Sequence, residues 1–167
     1  MRSKKINFKI RAINKKDKEW IKKFILREWA SEKVISWSKI YYPYKIPGFV
    51  ALANKKYLGL ITYRIEKKNC EIVTLNSIKK RVGIGTALIE KVKKVALKSN
   101  CKKLKVATTN DNINALRFYQ KRGFYLVDIR PNVVAFYRKK INPEIPLIGN
   151  YKIPIRDELR LEMKLKN

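Results

Sequence analysis

The fold is decided by residues 79–86, Lys-Lys-Arg-Val-Gly-Ile-Gly-Thr, which join a strand-like run to an amphipathic helical run. Gly83 and Gly85 let the backbone approach a ligand closely. The amides at the start of the following helix would face that ligand, and the three cations that open the stretch suit a pyrophosphate. The stretch lacks the Gly-Lys-Ser/Thr end of a P-loop and the third glycine of a dinucleotide fingerprint. By itself it also fits a plain glycine turn before a helix.

A second run, residues 108–124, reads Thr-Thr-Asn-Asp-Asn-Ile-Asn-Ala-Leu-Arg-Phe-Tyr-Gln-Lys-Arg-Gly-Phe. It predicts a helix over Asn112–Arg122 that ends at a glycine, as helices commonly do. Together the two runs resemble the GNAT superfamily of acyl-CoA-dependent N-acetyltransferases. The first is similar to that family's R/Q-x-x-G-x-G/A signature, with Lys80 in the R/Q position. The second is similar to its N-x-x-A-x-x-x-Y-x-x-x-G-F signature, which here is formed by Asn112, Ala115, Tyr119, Gly123 and Phe124.

The rest of the chain predicts the order β-α-loop-βββ-α-β-α-β-insert-β, an α/β domain with a mixed sheet. The stretch Ser31–Gly48 has no clean period and is predicted to be a long aromatic loop, and Pro131–Ile153 an irregular or partly helical insert. The resemblance implies a mostly antiparallel central sheet with a splay between two parallel strands and helices on both faces. We expect a single domain over residues 1–167. The predicted strands are Asn7–Ile13, Phe49–Ala53, Tyr57–Glu66, Glu71–Ser77, Lys103–Thr109, Phe124–Ile129 and Leu159–Leu165, and the other predicted helices begin at Asp17 and Gly83.

Composition excludes several chemistries. The chain has no histidine, which removes a histidine base and the usual zinc sites, so we expect no metal. Cys70 and Cys101 adjoin apolar runs and are predicted to be buried, reduced thiols. Residues 1–10 are basic but no apolar run follows, and no stretch is long enough to span a membrane, so we expect a cytoplasmic protein without a membrane partner.

The formal net charge is +28, from 41 Lys and Arg against 13 Asp and Glu. Such a field attracts polyanions. The charge is spread along the chain and Lys is far commoner than Arg, which favours the codon bias of an AT-rich genome over a dedicated nucleic-acid site. We expect weak, nonspecific polyanion binding.

The resemblance implies acetyl-CoA as cosubstrate. Loop amides would hold its pyrophosphate, and pantetheine would lie in the gap between the splayed strands. Two positions depart from the common family pattern: Ser77 stands where many members have proline, and Lys80 stands in place of Arg or Gln. Neither change removes a backbone donor for the cofactor. The residues implied in cofactor binding are Leu75, Ser77, Lys80, Arg81, Val82, Gly83, Ile84, Gly85, Thr86, Asn112, Ala115 and Tyr119.

Two residues are candidates for proton transfer. The family spacing implies that Tyr119 protonates the departing thiolate, although a tyrosine on this helix face also fits plain core. The acceptor amine must lose a proton before it attacks. Glu71 ranks first as the base, because it lies on the strand that leads to the loop and is predicted to share a face with Val73, Leu75 and Ser77. A surface ion pair with one of the many lysines would also explain it, and the same alternative holds for Glu28, Asp157 and Glu158.

Acceptor binding is predicted for Glu28, Trp37, Asp157 and Glu158, which lie in segments that flank the cleft in this topology. The proline-rich insert and the run after it resemble the tail of a prokaryotic GNAT group whose acceptor is unassigned. This insert is either an acceptor wall or a cover for the sheet edge.

The sequence therefore predicts an acetyl-CoA-dependent N-acetyltransferase that works on a primary amine by direct transfer in a ternary complex, as a monomer or homodimer. Two alternatives stay open: an acyl-CoA-binding module without turnover, and a basic RNA- or ribosome-associated protein.

Overall fold

A computed structural model describes residues 6–166, so part of the basic amino-terminal segment lies outside the described residues. These residues form nine strands and four α-helices. The strands are β1 (Lys9–Ala12), β2 (Val34–Ser36), β3 (Lys39–Tyr41), β4 (Gly48–Ala53), β5 (Lys56–Glu66), β6 (Asn69–Ser77), β7 (Lys103–Thr109), β8 (Tyr125–Arg130) and β9 (Glu158–Lys164). The helices are α1 (Lys18–Trp29), α2 (Ile84–Lys98), α3 (Ile113–Gln120) and α4 (Val133–Lys140).

Seven strands form one sheet in the order β1-β4-β5-β6-β7-β9-β8. The pair β6–β7 is parallel and the other neighbours are antiparallel, which confirms the predicted mixed, mostly antiparallel sheet. The parallel pairing runs from Asn69 opposite Lys103 to Ile72 opposite Val106. Both strands continue beyond that point, to Ser77 and Thr109. The predicted splay is therefore present.

Apolar residues at helical spacing bury both faces of this sheet. On one face, Leu88 and Val92 of α2 pack with Tyr119 of α3. On the other face, Ile21 and Ile25 of α1 pack against strands β4 to β6. Helices on both faces were predicted and are confirmed.

Both cysteines are free and buried, as predicted. Burial raises the pKa of Cys70 to about 12 and also raises the pKa of Cys101. Their thiols are therefore protonated and unreactive near neutral pH.

The predicted aromatic loop over Ser31–Gly48 is wrong in part, because it contains the hairpin β2–β3. Trp37 and Ser38 form its two-residue turn, both with positive φ, the backbone that matches the twist of a tight hairpin. Each strand has only three residues, too few to show an alternating pattern. Pro43 then opens a short 3₁₀ turn.

The predicted shared face of Glu71, Val73, Leu75 and Ser77 is also wrong. Thr62 faces Thr74 and Tyr63 faces Ile72, so Val73 is an extra residue in β6. Such a bulge breaks the alternation of side chains. As a result Val73 belongs to the cluster beneath α1, whereas Leu75 packs against the cluster beneath α2.

The insert after β8 is partly helical, as predicted, and contains α4. No helix among residues 6–166 is long and apolar enough to cross a membrane.

Candidate active site

A cleft of about 230 Å³ opens where β6 and β7 diverge. One side of it is formed by α3 and the splayed strands. The other is formed by the end of α1, by β2 and by the insert. Its lining includes Trp29, Ser36, Leu75, Asn76, Thr108, Asn112, Ala115, Tyr119, Val134, Tyr137, Asn142, Ile145 and Glu158.

The glycine loop leads into α2 with its backbone open to a ligand. Gly83 precedes the helix at φ 83°, and a Cβ built there would meet no described atom within 4 Å. Among the described residues, no side chain caps this helix end. Lys79, Lys80 and Arg81 are exposed just before it. Free amides, a positive helix end and cations are what a pyrophosphate requires, so the loop fits that group.

The next residues of the loop are fixed by packing. Ile84 is buried in the core and Val82 packs against it, so both offer a ligand only their backbone. A Cβ on Gly85 would lie 3.0 Å from the Phe118 ring, which explains the second glycine by close approach. The Thr86 hydroxyl accepts hydrogen bonds from Arg122 at 2.9 and 2.6 Å.

Arg122 is a cation near the loop that the motifs did not single out. Its guanidinium lies 3.5 Å from the centroid of the Phe118 ring. In the sequence, its position one helical turn after Phe118 and next to Gly123 was the available signal. In the structure, Arg122 donates a hydrogen bond to the Phe118 carbonyl at 2.8 Å.

Helix α3 presents three predicted residues to the cleft. Asn112, Ala115 and Tyr119 follow one another at i, i+3 and i+7, one face of a helix. The Asn112 side chain also caps α3, accepting a hydrogen bond from the Ala115 amide at 3.1 Å. Tyr119 is 7% exposed and packs edge-on to Phe118 and Phe124. Burial raises the pKa of its phenol.

Two strand residues take different positions. Leu75 lines the cleft, as predicted for the pantetheine gap. The Ser77 hydroxyl instead donates to the Lys79 carbonyl at 2.7 Å, which holds the start of the glycine loop.

One of the four predicted acceptor-binding residues lines the cleft. Glu158 is buried there and accepts a hydrogen bond from Arg160 Nε at 2.7 Å. Its neighbour Asp157 accepts from Arg156 at 2.9 and 3.0 Å and from the Asn132 amide at 2.7 Å. These bonds, that to Arg156 above all, lower the pKa of Asp157.

The other two lie elsewhere. Glu28 is exposed on α1 and accepts from its neighbour Arg27 at 3.1 Å. The Trp37 ring, at the hairpin turn, lies 3.5 Å from Lys105 Nζ and 4.9 Å from the Arg160 guanidinium. Arg160 thus contacts both Trp37 and Glu158.

Glu71, the predicted base, lines a second cavity of about 190 Å³ rather than the cleft. Its carboxylate accepts from the Tyr41 hydroxyl at 2.9 Å. Burial raises the pKa of Glu71, and the nearby Ser36 and Tyr41 hydroxyls only partly oppose this. Ser36 itself lines the cleft. We call the second space the basic cavity; it is lined by Trp37, Lys39, Arg64, Glu66, Lys67, Asn69, Glu71 and Lys105.

The insert forms a wall of the cleft. Val134, Tyr137 and Ile145 lie in the lining. A buried residue that the sequence analysis missed, Asp111, holds the far end of the insert by accepting from the Asn150 amide at 2.9 Å and its side chain at 2.7 Å. The signal available was its place in the polar run before α3.

Residues 16–124 match the model of the acetyltransferase (GNAT) family. The uncharacterized protein YxbD of Bacillus subtilis (strain 168) is 43% identical over 89% of this chain and 94% of its own length. The uncharacterized protein YdhI of the same strain is 38% identical over 85% of this chain and 89% of its own length.

Solved structures share the fold. The IAA acetyltransferase from Bacillus cereus ATCC 14579 superimposes with a TM-score of 0.73 at 23% identity, covering 95% of this chain and 100% of that one. A GNAT family acetyltransferase from Elizabethkingia anophelis, solved with acetyl-CoA bound, gives a TM-score of 0.68 at 22% identity, covering 95% and 99%.

Proposed function

The chain belongs to the GNAT acetyltransferase family, and from that premise we propose that it moves the acetyl group of acetyl-CoA to a primary amine, by direct transfer in a ternary complex. One observation carries the proposal. A single cleft runs from Asn112 and Tyr119 on α3 to Glu158 on β9, so one space offers both a thioester side and an acceptor side.

On the thioester side, the backbone of Arg81 to Thr86 would bind the pyrophosphate, with Lys80 and Arg122 adding charge. Leu75, Asn112 and Ala115 would line the pantetheine arm. We also propose a cytoplasmic location, where acetyl-CoA is available and buried thiols such as Cys70 stay reduced.

On the acceptor side, Glu158 is proposed to attract the ammonium form of the amine. Arg160 holds its carboxylate in place at 2.7 Å. Trp37 would support this wall through Arg160. Glu28, next to the cleft residue Trp29, and Asp157, next to Glu158, are proposed as outer contacts for a larger acceptor.

The chemical step needs two proton transfers. The amine nitrogen attacks the thioester carbonyl carbon, and the C–S bond breaks as the C–N bond forms. Tyr119 is proposed to donate its phenolic proton to the departing thiolate, and its raised pKa keeps that proton in place beforehand. Glu71 is proposed to accept the proton of the amine by way of Ser36, which lines the cleft and whose hydroxyl lies near the Glu71 carboxyl. The nitrogen loses two protons between the bound ammonium and the amide product: one replaces the phenolic proton given to sulfur, and the other passes from Glu71 to solvent.

The test is a panel of amines with acetyl-CoA, followed by release of the free thiol and by mass of the product. We expect acetylation of at least one primary amine. Glu158→Gln, which keeps an acceptor oxygen for Arg160, should raise KM for that amine while leaving acetyl-CoA affinity unchanged. Tight acetyl-CoA binding with no transfer to any amine, peptide or protein extract would favour a module without turnover.

A further inference from the structure

The basic cavity lies on the sheet where β6 and β7 are still hydrogen-bonded, on the same side as the hairpin β2–β3. Its walls come from the hairpin tip, the end of β5, the turn before β6 and the first half of β7. It measures about 190 Å³, somewhat less than the cleft.

Positive charge is in excess in this space. Lys39 forms a salt bridge with Glu66, so these two opposite charges cancel each other. Arg64, Lys67 and Lys105 form no salt bridge with any carboxylate of residues 6–166. The lining therefore holds three cations, the exposed Arg64 and Lys67 and the half-buried Lys105, and one carboxylate outside any salt bridge among residues 6–166, Glu71.

Two buried polar atoms of the wall also lack partners. Within the described part of the chain, neither Trp37 Nε1 nor Glu71 Oε1 has a hydrogen-bond partner. Glu71 is only 8% exposed, so solvent barely compensates for the missing bond. A buried indole N–H without a partner destabilises the fold. A ligand that accepts hydrogen bonds would satisfy it.

Protonation of Glu71 fits the same kind of ligand. The groups around its carboxyl are Ser36 and Tyr41 from the hairpin, Lys39 beyond them, and Lys105 from β7. Burial is the largest influence and raises its pKa. In its protonated form Glu71 carries no charge and can donate a hydrogen bond to such a ligand, whereas its ionised form is the one proposed to act as the base.

We propose that the basic cavity is a binding site for a small oxyanion, of carboxylate or phosphate type. The guanidinium of Arg64 and the ammonium groups of Lys67 and Lys105 would neutralise it, and the indole N–H of Trp37 would donate to one of its oxygens. This site is separate from the glycine loop, which lies at the other end of β6.

Titration by NMR tests the proposal without any acetyl transfer. The probes are inorganic phosphate, succinate and citrate, each added to protein saturated with CoA so that the glycine loop is occupied. The readout is the indole N–H signal of Trp37, assigned by its loss in Trp37→Phe. We expect saturable one-to-one binding with Kd on the order of 1 mM or tighter for one of the probes. Comparing the affinity for phosphate with that for succinate and citrate shows which type of oxyanion the site prefers.

Two matched double variants separate a built site from the general positive field. Arg64→Gln with Lys67→Gln removes two cavity charges, and Lys91→Gln with Lys94→Gln removes two exposed charges on α2. We expect the cavity pair to weaken the anion at least tenfold and the α2 pair to change Kd less than twofold. Equal weakening by both pairs, or an indole signal that no probe shifts, would overturn the proposal. Neither outcome bears on acetyl transfer, which is measured with amines.

Discussion

The two ends of the strand pair β6–β7 border different spaces, and different groups form the walls of those spaces. Where the strands pair, from Asn69 to Ile72, the neighbouring cavity is walled by charged side chains and the hairpin tip. Where they diverge, the cleft is walled by strand edges, mostly apolar side chains and α3. A paired end can only offer side chains to a ligand. A splayed end also offers backbone groups, which suits an extended ligand such as pantetheine.

The splay has an identifiable structural cause. Strand β7 pairs with β9 along its whole length, from Lys103 opposite Lys164 to Thr109 opposite Glu158. Strand β6 likewise stays paired with β5 as far as Ser77. Each strand therefore keeps a full-length partner on its outer side, and the bulge at Val73 bends β6 away. The backbone groups freed between them face the cleft instead of each other.

The largest expected effect tests the splayed end. Gly85→Val places methyl groups where a Cβ alone would lie 3.0 Å from the Phe118 ring, beside the loop that approaches the pyrophosphate. We expect acetyl-CoA binding to be lost in calorimetry while the circular dichroism spectrum and cooperative melting remain. Gly85→Ala, which needs only a few tenths of an ångström of movement, should bind more weakly than the natural protein yet measurably.

Unchanged acetyl-CoA affinity in Gly85→Val would remove the glycine loop from the cofactor site. The paired end provides the control: Arg64→Gln, in the basic cavity, should leave acetyl-CoA affinity as it is.

The second prediction tests whether the positive charge forms a dedicated nucleic-acid site or is spread over the surface. If the net charge of +28 is spread without a dedicated site, nucleic acid should bind without sequence preference. Raising salt from 50 to 200 mM should then weaken binding on the order of a thousandfold, measured by fluorescence anisotropy. Removing Arg64 and Lys67 together should weaken it no more than removing Lys91 and Lys94. Retention of one RNA at the higher salt would instead favour an RNA-associated protein.

The third prediction concerns the proton given to sulfur in the cleft. Tyr119→Phe keeps the ring that packs against Phe124 and removes only the hydroxyl. General acids contribute about 10²–10⁴-fold, and a thiolate needs little help, so we expect kcat to fall about 10²-fold. Acetyl-CoA affinity should barely change. A kcat near that of the natural protein would make Tyr119 a packing residue and solvent the proton source.

The splayed end could be predicted from sequence and the paired end could not, for physical reasons. Glycines and the spacing of Asn112, Ala115 and Tyr119 are local patterns, because one loop and one helix face determine them. The hairpin around Trp37 depends on two three-residue strands, too short to leave a pattern. The bulge at Val73 is visible only in the register against β5. The bonds from Asn150 to Asp111 join segments far apart in the chain.

The positions of the two carboxylates at the start of β9 also depend on strand pairing. Glu158 and Asp157 are adjacent in sequence, yet Glu158 faces the cleft while Asp157 holds the start of α4 through the Asn132 amide. Alternation along β9 is compatible with either residue facing inward. Only the pairing of β9 between β7 and β8 fixes which one does.

The smallest expected effect tests whether the two ends of β6 are coupled. If Glu71 accepts the amine proton through Ser36, then Glu71→Gln should lower kcat/KM about tenfold, near the low end for acid–base residues because water can replace the path. The direction in which activity changes with pH follows from the protonation state that Glu71 needs. Glu71 must be ionised to accept a proton, and burial raises its pKa. Activity should therefore rise with pH through that raised pKa, and the acidic limb of the profile should disappear in Glu71→Gln.

Glu158→Gln serves as the matched change on the cleft side. It should raise KM for the amine and keep the acidic limb, because Glu71 is still present. Ser36→Ala should mimic Glu71→Gln in rate if the hydroxyl carries the proton, although the carboxyl itself remains. A limb that persists in Glu71→Gln and vanishes in Glu158→Gln would assign the base to the cleft carboxylate. The basic cavity would then be chemically independent of the transfer step.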